Sequence, residues 1–168
     1  MYKVNFPLTT DVDLPATHST YGCQPQFQKD AAMKITVEAL VKAPLTKVWD
    51  AWNNPAAIRE WNSAHESWHT TRSTVDLREG GKFTSRMEAK DGSAGFDFEG
   101  TYTRIVPKRA IEFRMGDGRE ATVQFDERAG GVQVTETFDA ETENTPEMQR
   151  QGWQAILDNF GRYVEARG

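Results

Sequence analysis

The sequence contains a single cysteine, Cys23, in 168 residues. One cysteine excludes a disulfide within the chain and a zinc site built from several cysteines. Prolines and aspartates interrupt the first thirty residues, where a secretory signal would need an unbroken apolar stretch. These features are typical of a reducing compartment, and we predict a cytoplasmic protein.

Long apolar runs and blocks of basic residues are absent as well. No run approaches the ~20 apolar residues that a membrane-spanning helix needs. The net charge is -5, from 25 acidic and 20 basic residues, and no Lys/Arg cluster is present to follow a phosphate backbone. No G-x-S-x-G motif or Gly-rich phosphate loop is present. The sequence therefore predicts no membrane or nucleic-acid partner and no cofactor.

The chain divides by composition near residue 33. Residues 1–32 are rich in Thr, Pro, Gln and Asp and have no sustained hydrophobic period, which predicts an irregular N-terminal extension. Residues 33–168 are regularly patterned and have an ordinary length for one domain. We expect this second part to be the folded domain.

The patterned part predicts an α+β domain of order β-α-α-β6-α. "KITVEALVK" alternates like a strand, and Pro44 then suits the first position of a helix, which "AAIREW" follows as a second short helix. Six alternating segments separated by turn signals predict an antiparallel meander: STVDLRE, KFTSRMEA, FDFEGTYTRIV, AIEFRM, EATVQFDE and VQVTETFDA.

The final segment predicts a long amphipathic helix over residues 146–166. Thr145 is a good N-cap and Pro146 suits the first helical position. The apolar face at helical spacing comprises Met148, Trp153, Ile156, Leu157, Phe160 and Val164. Such a helix has one face to bury against the sheet.

Alternate residues of the meander form one bulky apolar face, in which Glu136 is the exception. Its parity places it between Val134 and Phe138, where an ionised carboxylate would be costly. Either a one-residue bulge turns Glu136 to solvent, or it is a functional carboxylate in a pocket. Gly100 on this face leaves room where a side chain would otherwise lie.

Residues 65–69, "HESWH", match the zinc-protease pattern H-E-x-x-H. The surrounding Ser and Thr residues do not favour the helix that gives this motif its geometry, and no histidine follows His69 as a third ligand. We therefore interpret His65 and His69 as partly exposed loop residues and predict no metal site.

The segments "VKAPLTKVWDAWNNPAAIREWN", "DLREGGKFTSRMEAKDG", "FDFEGTYTRIVP", "VTETFDAE" and "GWQAILDNFGRYVE" resemble, in this order, bacterial relatives of the activator of heat-shock protein 90 ATPase. That family lies in the START-like (SRPBCC), helix-grip superfamily. The resemblance implies a curved sheet of about seven strands around the C-terminal helix, with an apolar cavity between them. It is also compatible with a homodimer and a role in stress response.

Carried onto this sequence, the resemblance implies a cavity wall at Met87, Phe98, Phe113, Met115, Glu136 and Trp153. Ser85 and Tyr102 are candidate hydroxyls beside that wall. The resemblance supplies no shared catalytic residue.

Three functions remain open from the sequence. The first is binding of a hydrophobic or aromatic small molecule within the cavity. The second is a cyclase- or hydrolase-like activity with Glu136 as general base. The third is a chaperone or client interaction through Trp52, Trp61 and Trp68, unless these rings pack beneath the first helices instead.

Overall fold

The computed structural model describes residues 33–167. The predicted N-terminal extension, with His18 and Cys23, lies outside the described residues. The elements follow the predicted β-α-α-β6-α order: β1 (Lys34–Val41), α1 (Leu45–Asn53), α2 (Pro55–Trp61), β2 (Trp68–Val75), β3 (Lys82–Ala89), β4 (Gly95–Val106), β5 (Ala110–Met115), β6 (Glu120–Arg128), β7 (Gly131–Asp139) and α3 (Pro146–Glu165).

The strands form one antiparallel sheet of seven strands in the order β1-β7-β6-β5-β4-β3-β2. Strands β2 to β7 are the predicted meander, and β1 joins the free side of β7. The sheet curls into a half-barrel, and the C-terminal helix α3 packs against it. This confirms the predicted α+β, helix-grip class. No helix within residues 33–167 is long and apolar enough to cross a membrane.

The first strand of the meander lies earlier in the chain than predicted. Residues 73–79 were expected to form it, whereas β2 runs from Trp68 to Val75. Pairing with β3 sets these bounds, from Trp68 opposite Ala89 to Val75 opposite Phe83, with an irregularity between Thr70 and Arg72. The hydrogen bonds of the neighbouring strand therefore outweighed the weak alternation of a Ser- and Thr-rich segment.

The helix starts follow local capping chemistry. Pro44 is the N-cap of α1 and not its first helical residue, because its backbone is extended. In α2 the Asn54 side chain accepts a hydrogen bond from the Ala56 amide at 2.8 Å, with Pro55 as the first helical residue. Two short helices thus connect β1 to the meander, as predicted.

Helix α3 has the predicted N-cap, since Thr145 Oγ1 accepts a hydrogen bond from the Met148 amide at 3.2 Å. The predicted apolar face is wrong at its first position. Met148 is 42% exposed, and Gln149 is buried instead. The Gln149 side chain bonds the backbone of Glu141 and Asn144, so the loop before the helix determines which residue faces inward.

Side chains of α3 also cover the open edge of the sheet at β1. Arg150 donates to the Thr36 carbonyl at 2.7 Å. Gln154 donates to the Glu38 carbonyl at 3.0 Å, and Glu165 accepts from the Lys42 amide at 2.8 Å. An uncovered edge strand is a site for pairing with other chains. These bonds occupy that edge and fix α3 across the sheet.

Candidate functional site

The side of the sheet that faces α3, here called the concave face, is built from the alternate residues that the period-2 pattern predicts. They are almost all buried: Phe83, Ser85, Met87, Tyr102, Ile111, Phe113, Met115, Ala121, Val123, Phe125, Val132, Val134, Glu136 and Phe138. From α3, Leu157, Phe160 and Val164 are buried against this face. The interior between sheet and helix is therefore mainly apolar and aromatic.

The seven predicted ligand-binding residues all lie on the concave face or on α3. Phe98 and Trp153 are half-buried and the other five are buried: Met87, Tyr102, Phe113, Met115 and Glu136.

Aromatic contacts connect part of this set. Phe98 meets Trp153 edge to face at 6.1 Å between ring centroids and Phe113 at 6.5 Å. Met87 lies toward β2, where Thr70 Oγ1 is 3.0 Å from its sulfur. Their role as ligand contacts stays a prediction.

The space at Gly100 is occupied by the protein itself. A methyl group added at Gly100 would lie 2.7 Å from the ring of Phe83 and 2.7 Å from the Arg114 carbonyl oxygen. Phe83 pairs with Gly100 across the strands and packs edge to face on Phe113 at 5.0 Å. Gly100 therefore makes room for a core ring, and the expectation of free space at this position is wrong.

Trp153 is anchored to the sheet by Phe138. Their rings stack at 3.9 Å between centroids, with 12° between the ring planes. Phe138 is fully buried on β7, whereas Trp153 is only half-buried. This stack sets the position of α3 over the part of the sheet that contains Glu136.

Glu136 faces the interior, which settles its orientation. The pairing of β7 with β1 and β6 runs through Glu136 without a register shift, opposite Val37 on one side and Val123 on the other. The bulge that would turn it to solvent is therefore absent from these two ladders. Glu136 is 6% exposed, and it has no hydrogen-bond or ion-pair partner among residues 33–167.

Burial alone perturbs the protonation of this carboxyl group. Removal from water disfavours the charged form and raises the pKa of Glu136 to about 8. At pH 7 most molecules therefore carry a neutral carboxyl here, able to donate and to accept a hydrogen bond. Burial, with a smaller contribution from the negative charge of Asp76, raises the pKa of Tyr102 to about 12.

The H-E-x-x-H segment does not form a helix. His65 lies in a turn, where its Nδ1 accepts a hydrogen bond from the Ser67 amide at 3.1 Å. His69 lies on β2, so its interpretation as a loop residue is wrong, while that of His65 is confirmed. Within residues 33–167 no three His, Cys, Asp or Glu side chains are grouped so as to hold a metal ion.

The tryptophans proposed for partner binding contribute to packing. Trp61 is buried and stacks on Trp52 at 5.2 Å between ring centroids. Phe160 of α3 meets both rings edge to face, at 4.9 Å for Trp52 and 5.0 Å for Trp61. Trp68 is half-buried against Phe96 at 5.8 Å. The contacts of Trp52 and Trp61 agree with the alternative that the rings pack beneath the first helices, whereas Trp68 packs on β4.

A groove that the sequence did not predict lies between α3 and the segment linking α2 to β2. Its volume is about 770 Å³, and its lining includes Trp61, His65 and Tyr163. Arg167 bridges it by an ion pair with Glu60 at 2.6 Å and lies 3.9 Å from the centre of the Tyr163 ring. None of the seven predicted site residues lines it. Its walls come from segments almost one hundred residues apart, so no local pattern reveals it.

Comparison with known proteins supports the fold and the family. The sequence pattern of the family described as "Activator of Hsp90 ATPase homolog 1-like protein" matches residues 42–165. The solution structure of an AHSA1-like protein from Aeromonas hydrophila is 57% identical, with a TM-score of 0.77, over 81% of this chain and 94% of that one. None of the curated proteins matches the chain.

Two further structures extend the comparison. A protein from Cytophaga hutchinsonii is 44% identical, with a TM-score of 0.69, over 80% of this chain and 93% of that one. A protein from Chromobacterium violaceum shares the fold at 23% identity, with a TM-score of 0.71, over 79% of this chain and 98% of that one. The match of the family pattern to most of the chain and the two closer structural relatives lead to one assignment: this chain belongs to the activator of Hsp90 ATPase homolog 1-like family.

Proposed function

We propose that this protein binds a hydrophobic small molecule between the concave face of the sheet and α3. The observation that carries the proposal is Glu136, a carboxyl group buried among apolar side chains with no partner in residues 33–167. Leaving such a group unpaired costs roughly 1–3 kcal/mol. A ligand that supplies the missing hydrogen bond would recover part of this cost.

The aromatic part of the concave face supports the same function. Aromatic rings from β3, β4, β5 and α3 meet on this face, and rings offer large contact areas to an apolar or aromatic ligand. Phe98 and Trp153 are only half-buried. In this proposal a ligand enters beside these two rings by displacing their edge-to-face contact.

Native mass spectrometry tests the proposal on protein isolated from the cells that make it. We expect a retained hydrophobic molecule, identified after extraction. The Ser85→Leu variant fills the interior at a buried position of β3 and should lose this molecule. Thr84→Leu adds the same side chain at the next residue, where period-2 alternation points it to the other face of the strand, and should retain it. Equal retention by both variants would place the molecule elsewhere.

General-base catalysis by Glu136 is a second candidate, favoured by its pKa of about 8. A base must be ionised, so activity that depends on this carboxyl should rise as the pH approaches 8. Glu136→Gln should then abolish turnover while leaving ligand affinity within several-fold. The third candidate, partner binding through the tryptophans, has less support because Trp52 and Trp61 pack against Phe160.

A further inference from the structure

Glu136 differs from Thr70, Ser85 and Gln149 in having no hydrogen-bond partner among residues 33–167. The buried polar residues of the described part are Thr70, Ser85, Glu136 and Gln149. Thr70 donates to the Asn62 carbonyl at 2.6 Å, Gln149 bonds the loop before α3, and Ser85 lies 3.4 Å from the Ser73 hydroxyl. Within residues 33–167, the carboxyl group of Glu136 is therefore available to a molecule that enters the interior, together with the hydroxyl group of Tyr102 on the same face.

The interior around Glu136 provides no positive charge. No Lys or Arg is among the buried residues of 33–167, and only Tyr102 and Glu136 titrate among them. Val37 and Val123 flank Glu136 across the strands. The buried residues of α3 carry no titratable side chain: Gln149, Leu157, Phe160, Gly161 and Val164.

This arrangement discriminates between head groups of different charge. On entering the interior, a carboxylate or phosphate would lose its hydration and gain no counter-ion. It would also approach another carboxyl group. An ammonium group would form a buried ion pair, for which both partners must be desolvated. An uncharged oxygen needs only one hydrogen bond, and Glu136 as a residue is still 6% exposed.

We infer that Glu136 is a specificity-determining residue, which selects apolar molecules with an uncharged hydroxyl or carbonyl group and rejects their carboxylate counterparts. The inference rests on the proposed function and adds the chemistry of the head group. The neutral carboxyl that prevails at pH 7 can donate to either kind of oxygen.

A series of naphthalene probes with one ring system and different head groups tests the inference. The probes are 2-naphthylmethanol, methyl 2-naphthyl ketone, 2-naphthylacetate, 2-naphthylmethylamine and 2-methylnaphthalene. Binding to the full chain is measured at about pH 6.5 by calorimetry, with NMR shifts to locate the site. We expect the alcohol and the ketone to bind about fivefold more tightly than the hydrocarbon, as one hydrogen bond predicts. The carboxylate and the amine should bind more weakly than both the alcohol and the ketone.

The Glu136→Gln variant separates charge from hydrogen bonding. Its amide still donates but cannot ionise. A ketone only accepts, so its affinity for wild-type protein should fall as the pH rises through about 8, whereas the variant should show no such fall. Ketone binding should also raise the pKa of Glu136, observed by carbon-13 NMR of its carboxyl in the wild-type protein. This readout does not depend on the variant.

The outcomes distinguish the two proposals. If 2-naphthylacetate binds to the interior as tightly as the alcohol and the ketone, the inference about Glu136 is wrong and the proposed function stands. If the ketone affinity is the same at about pH 6.5 and pH 9, the role of Glu136 as donor is wrong. If no probe shifts the NMR signals of the concave face or α3, both proposals are wrong.

Discussion

Between about pH 5 and pH 8, we expect the wild-type protein to lose about 3 kcal/mol of unfolding free energy relative to its Glu136→Gln variant. Folding raises the pKa of this carboxyl from 4.5 to about 8 because burial disfavours the charged form. Within that window the folded state binds more protons than the unfolded state. Stability therefore decreases as the pH rises through the window and levels off above the folded pKa.

Urea unfolding of both proteins at several pH values measures this difference. Glu127→Gln is the matched control, since Glu127 is exposed on the neighbouring strand β6. The control should follow the wild-type curve, while Glu136→Gln should diverge from it steadily toward alkaline pH. Wild-type and Glu136→Gln curves that stay parallel would mean that a partner stabilises the ionised carboxyl in solution.

Phe138→Ala should cost about 3–5 kcal/mol of unfolding free energy, the range for removing a fully buried aromatic ring. Phe138 is 0% exposed, and its ring stacks on Trp153 at 3.9 Å. The substitution leaves a cavity on β7 and removes the contact that positions α3. Thermal and urea unfolding followed by circular dichroism provide the measurement.

Phe96→Ala is the matched control for this prediction. Phe96 is half-buried at the start of β4 and packs on Trp68 with a tilted geometry at 5.8 Å. Because less of its area is buried, we expect a loss of about 1–2 kcal/mol. Equal losses for the two variants would show that the Phe138–Trp153 stack contributes no more to the free energy of unfolding than the Phe96–Trp68 contact does. A double-mutant cycle with Trp153→Leu should give a coupling of about 1 kcal/mol.

The order and type of the elements were predictable because they depend on local patterns. Alternation identified the strands, and the glycine-containing turns between them require backbone angles that other residues rarely adopt, as at Gly118 and Gly130. The N-cap at Thr145 was predictable for a similar reason, since it bonds an amide three residues away. Local rules were insufficient at β2, where pairing with β3 decided the bounds.

For the candidate site, the sequence predicted only which face of the sheet carries its residues. Parity placed Glu136 inward, but a single bulge would have reversed it. The uninterrupted pairing with β1 and β6 excluded this alternative. Sequence also failed at the start of α3, where the consecutive residues Met148 and Gln149 lie about 100° apart around the helix axis. Bonds to the preceding loop selected Gln149 for burial.

The sequence by itself determined the order and type of the strands and helices, which side of each strand is apolar, and that alternation assigns one carboxyl to that side. The tertiary structure decided that Phe83 occupies the space at Gly100, that Trp153 stacks on Phe138, and that Glu136 has no partner among residues 33–167. The physical reason is the range of the interactions. Periodicity and capping act over a few residues, whereas packing and desolvation depend on side chains brought together from distant parts of the chain.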